Sequence, residues 1–370
     1  MEATENSQTT PEKSYRLTVT SIGNATALAT KVIASGLNLA PEKVAEKLYR
    51  APSILADNLT EDICQQLATL IQDLGIEVRV ESSETPPPPP SELYDISVQI
   101  SEIEHLPSVV EKLSPFLGIN ETQIISLLIT PPAIILGSVS LATLSALKRL
   151  LTLEGVNIIA SRPTTANYDL ISSVLNSYQT QQLNQFLQRL NLSLQANNGL
   201  CLSSLDYRTA QTIWKHFGHN LPIKIINQDF YRYDILINNL PDIIEVAAQQ
   251  YLENTIGISP ADYPSVQAHL PLVIHESISH QEALKLETEC ATHGLLVSKI
   301  NITFQRLKIQ IHTVEDLSPV DTLLQQLGLI DTPLKKLPYI TRDTSETFAR
   351  FAKHLLERNG AQVSYQECAV

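Results

Sequence analysis

The sequence predicts an α+β protein made of five tandem modules, each ordered strand, helix, helix, strand, helix, strand, with a three-stranded sheet carrying its helices on one face. Three observations predict it. A strand opening on Tyr or Leu recurs as YRLTV at Tyr15, YDISV at Tyr94, YDLIS at Tyr168, YDILI at Tyr233 and LKIQI at Leu307, at intervals of roughly 65 to 80 residues. Each repeat closes on an amphipathic helix, a glycine and a strand, at Gly75, Gly155, Gly218, Gly294 and Gly360. In four repeats an earlier helix ends in Gly plus an aliphatic residue: Gly36-Leu37, Gly118-Ile119, Gly257-Ile258 and Gly328-Leu329.

Residues 1–13 are polar and read as a disordered tail, and module one follows over 14–83. Residues 84–92 hold Pro86 to Pro90, a linker that favours an extended polyproline rod and leaves module one free to move independently. Modules two to five occupy 93–163, 166–229, 231–303 and 305–370; short connections such as NQDFYR and TFQR stack the last three as one body. Opening strands alternate apolar with polar residues, as Leu17 and Val19 do with Thr18 and Thr20, so one sheet face should be polar and open. All five closing glycines should adopt a positive φ as helix stops, because only glycine does so without a Cβ penalty. The second helix should start at Asn120, Ser259 and Asp331, and a proline should halt it at Pro52, Pro132, Pro271 and Pro338. Module three has no room for that helix between QTQQLNQFLQRLNLSLQ and GLCLSSL and should lack it.

Composition narrows the function. The formal charge of −13 repels phosphate backbones and anionic lipid, so nucleic acid is not an expected partner. No uninterrupted apolar stretch is long enough to span a bilayer and no signal segment opens the chain, so no membrane insertion and a cytoplasmic location are expected. Cys64, Cys201, Cys290 and Cys368 show no CxxC spacing and read as buried free thiols. His269, His275, His280 and His293 contain no pair one helical turn apart, so no metal is assigned. The chain lacks GxxxxGK[ST], GxGxxG after a strand, GxSxG and HExxH, so no catalytic residue, no cofactor and no enzyme activity are assigned. Trp214 reads as a core residue, and Lys43, Lys47 and Arg50, interleaved with Glu42 and Glu46, as a solvated helix face.

Module one, from Tyr15 to Val80, resembles the C-terminal domain of the bacterial ribosomal stalk protein nearly end to end. The landmarks are the Gly23 turn, Lys31 on the first helix, the Gly36-Leu37 break, Ala51-Pro52 and the Gly75 stop before a Val-rich strand. The Clp-protease adaptor domain shares this element order, so the resemblance bears on fold before function. In the stalk family the domain recruits translational GTPases through basic residues on its first two helices, which implies a partner-binding set here of Lys31, Gly36, Leu37, Lys43 and Lys47. The positions matching Lys31 elsewhere are Val110, Gln249 and Leu323, so that chemistry belongs to module one alone. The resulting expectation is a non-enzymatic scaffold or adaptor that binds protein partners through helix grooves or open sheet faces. Its alternative is a translation-associated factor whose first module recruits a translational GTPase.

Overall fold

The computed structural model describes residues 14–172, 175–194, 200–240 and 245–367, so the expected tail at 1–13 lies outside the described residues. The chain forms two compact units: Met1–Ile96, His105–Leu127 and Ile135–Arg162 make the first, and Ser97–Glu104, Leu128–Ile134 and Pro163–Val370 the second.

Module one runs β1 (Tyr15–Ser21), α1 (Ala27–Leu37), α2 (Pro41–Tyr49), β2 (Ser53–Leu59), α3 (Glu61–Asp73) and β3 (Glu77–Ser82). Module two repeats the order with β4 (Leu93–Ile100), α4 (Leu106–Leu117), α5 (Glu121–Ile129), β5 (Ile134–Ser140), α6 (Leu141–Leu150) and β6 (Val156–Ser161). Module three has β7 (Tyr168–Ser172), α7 (Ser177–Arg189), β8 (Leu200–Leu205), α8 (Tyr207–Phe217) and β9 (Ile223–Asn227), with no second helix among its described residues. Module four has β10 (Arg232–Asn239), α9 (Val246–Tyr251) extended by a wide turn over Leu252–Ile256, α10 (Tyr263–Ala268), β11 (Leu272–Ser279), α11 (His280–Thr292) and β12 (Leu296–Asn301). Module five has β13 (Arg306–Val314), α12 (Leu317–Gln326), β14 (Tyr339–Ile340), β15 (Thr344–Ser345), α13 (Glu346–Arg358) and β16 (Ala361–Glu367).

Every opening strand is the centre of its sheet: the orders are β2-β1-β3, β5-β4-β6, β8-β7-β9 and β11-β10-β12, and β13 lies between β16 and the two short strands β14 and β15. In modules one, three, four and five the strands pair antiparallel. Modules three, four and five each close a separate core, centred on Leu170, Leu183, Leu187 and Ile213, on Ile235, Ile237, Leu252 and Ala283, and on Ile309, Ile311, Val320 and Leu356. Each fully buried Leu or Ile contributes about 1.5–3 kcal/mol, so a module of this size is held by a handful of such side chains.

The middle strands share a device that the residue pattern hides. Asn58, Ser138, Ser204 and Ser277 all have φ between 53° and 59°, and the registers of β1/β2, β7/β8 and β10/β11 shift there, which marks a bulge. In modules two to four an aspartate on the neighbouring central strand holds it: Ser138 N–H donates to Asp95 Oδ1 at 2.9 Å, Ser204 N–H to Asp169 Oδ1 at 3.1 Å and Ser277 N–H to Asp234 Oδ1 at 2.8 Å. This is the physical content of the repeated Tyr-Asp at the head of those strands. Burial raises the Asp95 and Asp234 carboxyls above the ordinary aspartate value, and the serine amide opposes it. Module one has Arg16 at this position instead, and Asn58 N–H turns to the carboxylate of Asp57 beside it.

Several details depart from the sequence pattern. Gly75, Gly155, Gly294 and Gly360 do adopt φ between 66° and 87°, but Gly218 has φ −59°. A Cβ there would come within 2.6 Å of the Trp214 ring, so this glycine serves close packing instead of a left-handed turn. Trp214 itself is 43 % exposed, not core. Gly36 lies inside α1, whose left-handed cap is Asn38 at φ 52°, while Gly118, Gly257 and Gly328 do end their helices. Pro52, Pro132, Pro271 and Pro338 each follow a cis peptide bond. Asn120 caps α5 reciprocally with Gln123, and Ser259 precedes a short turn, but Asp331 starts no helix. Pro333 and Pro338 leave only four residues between them, too few for helical bonds to offset the cost of nucleation.

The proline segment is not a loose tether either. Arg16 Nη2 donates to Pro86 O at 2.7 Å and Ser91 Oγ to Ala51 O at 3.3 Å. Module one also packs on module two within the first unit: Tyr49 Oη donates to Phe116 O and Thr143 Oγ1 to Tyr49 O, both at 2.8 Å. A Cβ on Gly118 would overlap that of Ala27 at 2.3 Å, so the glycine lets α4 approach α1. In the second unit, Arg350 donates to the carbonyls of Ser101 and Ile100 at 2.9 Å each, tying the end of β4 to α13.

Candidate functional site

The expected partner-binding residues all lie on α1 and α2, which pack against each other. Helix α1 turns Ala29, Thr30, Ile33 and Ala34 into the core, which leaves Lys31 exposed on the opposite face. Leu28 and Val32 share that outer face, one turn apart, at 67 % and 49 % exposure. Gly36 is exposed and Leu37 half-buried at the end of the same helix. On α2, Lys43 is exposed, but Lys47 is half-buried and its Nζ donates to Ile54 O of its own module. Lys47 is therefore engaged internally, and the fully exposed cations of the set are Lys31, on the outer face of α1 with Leu28 and Val32, and Lys43 on α2. Arg50 pairs with Glu46 at 2.5 Å, one helical turn away, as the interleaved charges implied. Val110, at the place of Lys31 in module two, is 4 % exposed, and Leu323 in module five is half-buried, so the outer face of α1 is not repeated there.

Leu28 and Val32 were not singled out by the residue pattern. Their signal is present in ALATKVIASGL, where aliphatic residues fall on every side of the helix, so α1 has more apolar residues than one buried stripe can take.

The open sheet faces are less available than alternation suggested. In module one Arg16 and Thr18 are each 2 % exposed, and both reach Glu81 on the adjoining strand. In module three Asp169 is 6 % exposed: it accepts from Tyr231 Oη at 3.0 Å and Gln228 Nε2 at 2.6 Å in addition to Ser204 N–H. Burial, with the Asp169 carboxylate beside it, pushes the Tyr231 hydroxyl well above the ordinary tyrosine value, so it stays a proton donor.

A cleft of about 970 Å³ opens within the second unit, bordered by Ile171 and Lys224 of module three, Tyr231 at the start of module four, Phe304 of the connector that follows it, and Phe348 of module five. The connectors Asp229-Phe230-Tyr231-Arg232 and Thr303-Phe304-Gln305-Arg306 each place an aromatic residue close before an arginine at a module joint, a repeated signal read above only as short linkage.

Close to it lies a buried ion cluster. Glu346 pairs with Arg232 Nη2 at 2.9 Å and with Arg350 Nε at 2.5 Å, and Arg232 Nη1 donates to Ser277 Oγ at 3.0 Å. Burial pushes the Glu346 carboxyl up, but the two guanidiniums outweigh it and hold the group below the ordinary glutamate value.

Among the described residues no three His, Cys, Asp or Glu side chains gather as a metal site, and no helix is long and apolar enough to cross a membrane. His293 stacks on Tyr251 with ring centroids 4.5 Å apart. Cys64 and Cys290 are buried free thiols, whereas the side chains of Cys201 and Cys368 lie outside the described residues. Comparison with protein-family models, with curated proteins and with solved structures returns no match.

Proposed function

We propose that this chain is a non-enzymatic, cytoplasmic protein-binding array whose first module presents the docking face. The observation that carries the reading is the outer surface of α1, where Leu28 and Val32 stand exposed one turn apart with Lys31 between them. Exposed aliphatic residues next to a cation fit a partner segment that pairs apolar anchors with a carboxylate, such as an acidic amphipathic helix. On a chain of charge −13 this is a local exception that selects such a segment.

The stalk-domain resemblance names a more specific partner, a translational GTPase recruited by module one, with Lys31 and Lys43 as the contact cations. Lys47, half-buried with its Nζ on Ile54 O, would have to leave that carbonyl to join them.

A photo-crosslinking residue placed at Val32 of the full chain, expressed in its native cell, tests both. The expected result is a discrete crosslinked protein whose contact region is acidic and apolar. Leu28→Asp should abolish the crosslink and Lys31→Glu weaken the complex about tenfold, roughly 1.4 kcal/mol. Identification of that protein as a translational GTPase supports the specific reading. A crosslinking pattern unchanged by either substitution contradicts both readings.

A further inference from the structure

We infer that the cleft of the second unit binds a small amphipathic anion, a carboxylate carried on an aromatic or branched aliphatic body. This goes beyond the docking face on α1 and concerns other residues entirely. The floor of the cleft is the far end of module three's open sheet face. Tyr231 covers that face at Asp169, but Ile171 and its cross-strand partner Lys224 are left at the cleft. Phe304, 37 % exposed, and Phe348 border the same space, with Ile129 contributing an aliphatic side.

A cleft of about 970 Å³ lies at the upper end of the range that takes a small ligand, and such sites combine apolar walls with a few placed polar groups. Here the charges fix the ligand's sign and direction. Asp169 already accepts three hydrogen bonds and has no need of a cation from the ligand. Arg306 is paired with Asp343, donating from Nη2 to its carbonyl at 2.9 Å and from Nε to its carboxylate. The Lys224 side chain is exposed and has no hydrogen-bond or ion-pair partner among the described residues, so it is the cation left to meet an anion. Asp169 and Lys224 are diagonal neighbours, two residues along and one strand across, about 8 Å apart at ~3.3 Å per residue and ~4.8 Å between strands. The ligand's carboxylate therefore belongs at the Lys224 end and its apolar body against Phe304 and Phe348.

The test uses 8-anilinonaphthalene-1-sulfonate, an aromatic anion whose sulfonate stands for the carboxylate, titrated into the full chain and followed by fluorescence. One saturable equivalent is expected. Lys224→Glu and Phe304→Ser should each raise its dissociation constant about tenfold or more, and Lys224→Gln somewhat less. Leu296→Ser and Leu284→Ser, which remove exposed aliphatic residues elsewhere, should leave it unchanged. Displacement then separates two sources of the same chemistry. Competition by dodecanoate but not dodecanol points to a free amphipathic acid, and competition by acetyl-Leu-Phe but not its amide points to a peptide C-terminus. Either supports the inference. Non-saturable binding, binding indifferent to Lys224→Glu and Lys224→Gln, or neutral analogues that compete as well as the acids would overturn it, and would leave the α1 reading untouched.

Discussion

Module four keeps a second helix, α10, and a continuous middle strand, β11, whose bulge at Ser277 is latched by Asp234. Module five has Lys308 in place of that aspartate, no helix between Asp331 and Pro338, and the pair β14 and β15 where one strand would run. Yet both close in the same way, on a long third helix, a left-handed glycine at Gly294 or Gly360, and a strand paired along the central one. The comparison separates what the blueprint requires from what a neighbour can replace. The third helix and last strand carry the core, as Ala283 and Leu286 do in module four and Ala349, Ala352 and Leu356 in module five. The latch and the second helix can be lost where other bonds compensate. In module five Glu346, at the start of α13, is held by Arg232 and Arg350, and Arg350 is anchored on the carbonyls of Ile100 and Ser101.

The largest break in this comparison should come from Glu346→Ala. Removing the carboxylate leaves the buried Arg232 guanidinium without its ion-pair partner, while the partly exposed Arg350 keeps its carbonyls, and breaking such a buried pair costs about 3–5 kcal/mol. Chemical denaturation of the full chain should show the loss in the transition of the second unit. A pH series sharpens it. Because the folded pKa of Glu346 lies below its unfolded value, this contribution is fully present above roughly pH 5 and is lost as pH falls through the depressed value. Glu346→Gln should therefore flatten the acid limb of the stability curve, and an unchanged acid limb would deny the cluster its role.

Asp234→Ala should come next, at about 1–3 kcal/mol, since it strands the Ser277 N–H in a bulge. Gly294→Ala should cost about 1–2 kcal/mol by thermal unfolding, from the φ of 70° alone, because a Cβ there meets nothing within 4 Å. Lys308→Ala, at the place of Asp234 in module five, should change stability by no more than about 0.5 kcal/mol.

The parts legible in the residues were those written locally. Tyr-led strands, glycine stops and prolines before the middle strands lie within one or two turns of what they act on, so they could be read in order. The latch was not legible, because the Tyr-Asp pairs at Asp95, Asp169 and Asp234 act on serines 35 to 43 positions away, and nothing near those serines marks a bulge. In module five Asp331-Thr332-Pro333 has the form of a helix start, but a start signal does not show that enough residues follow. Lys31 is placed on its helix by sequence alone, but the hydrogen bond of Lys47 to Ile54 O and the exposure of Leu28 and Val32 depend on how α1 and α2 pack.

Amide hydrogen exchange at Ser138, Ser204 and Ser277 tests most directly that one local device is copied in modules two to four and works separately in each of them. All three amides should exchange slowly in the native chain. Asp95→Ala, Asp169→Ala and Asp234→Ala should each speed up the amide of its own serine and leave the other two slow. If any one substitution released all three amides together, or none of them, the bulges would not be independent copies of a shared blueprint.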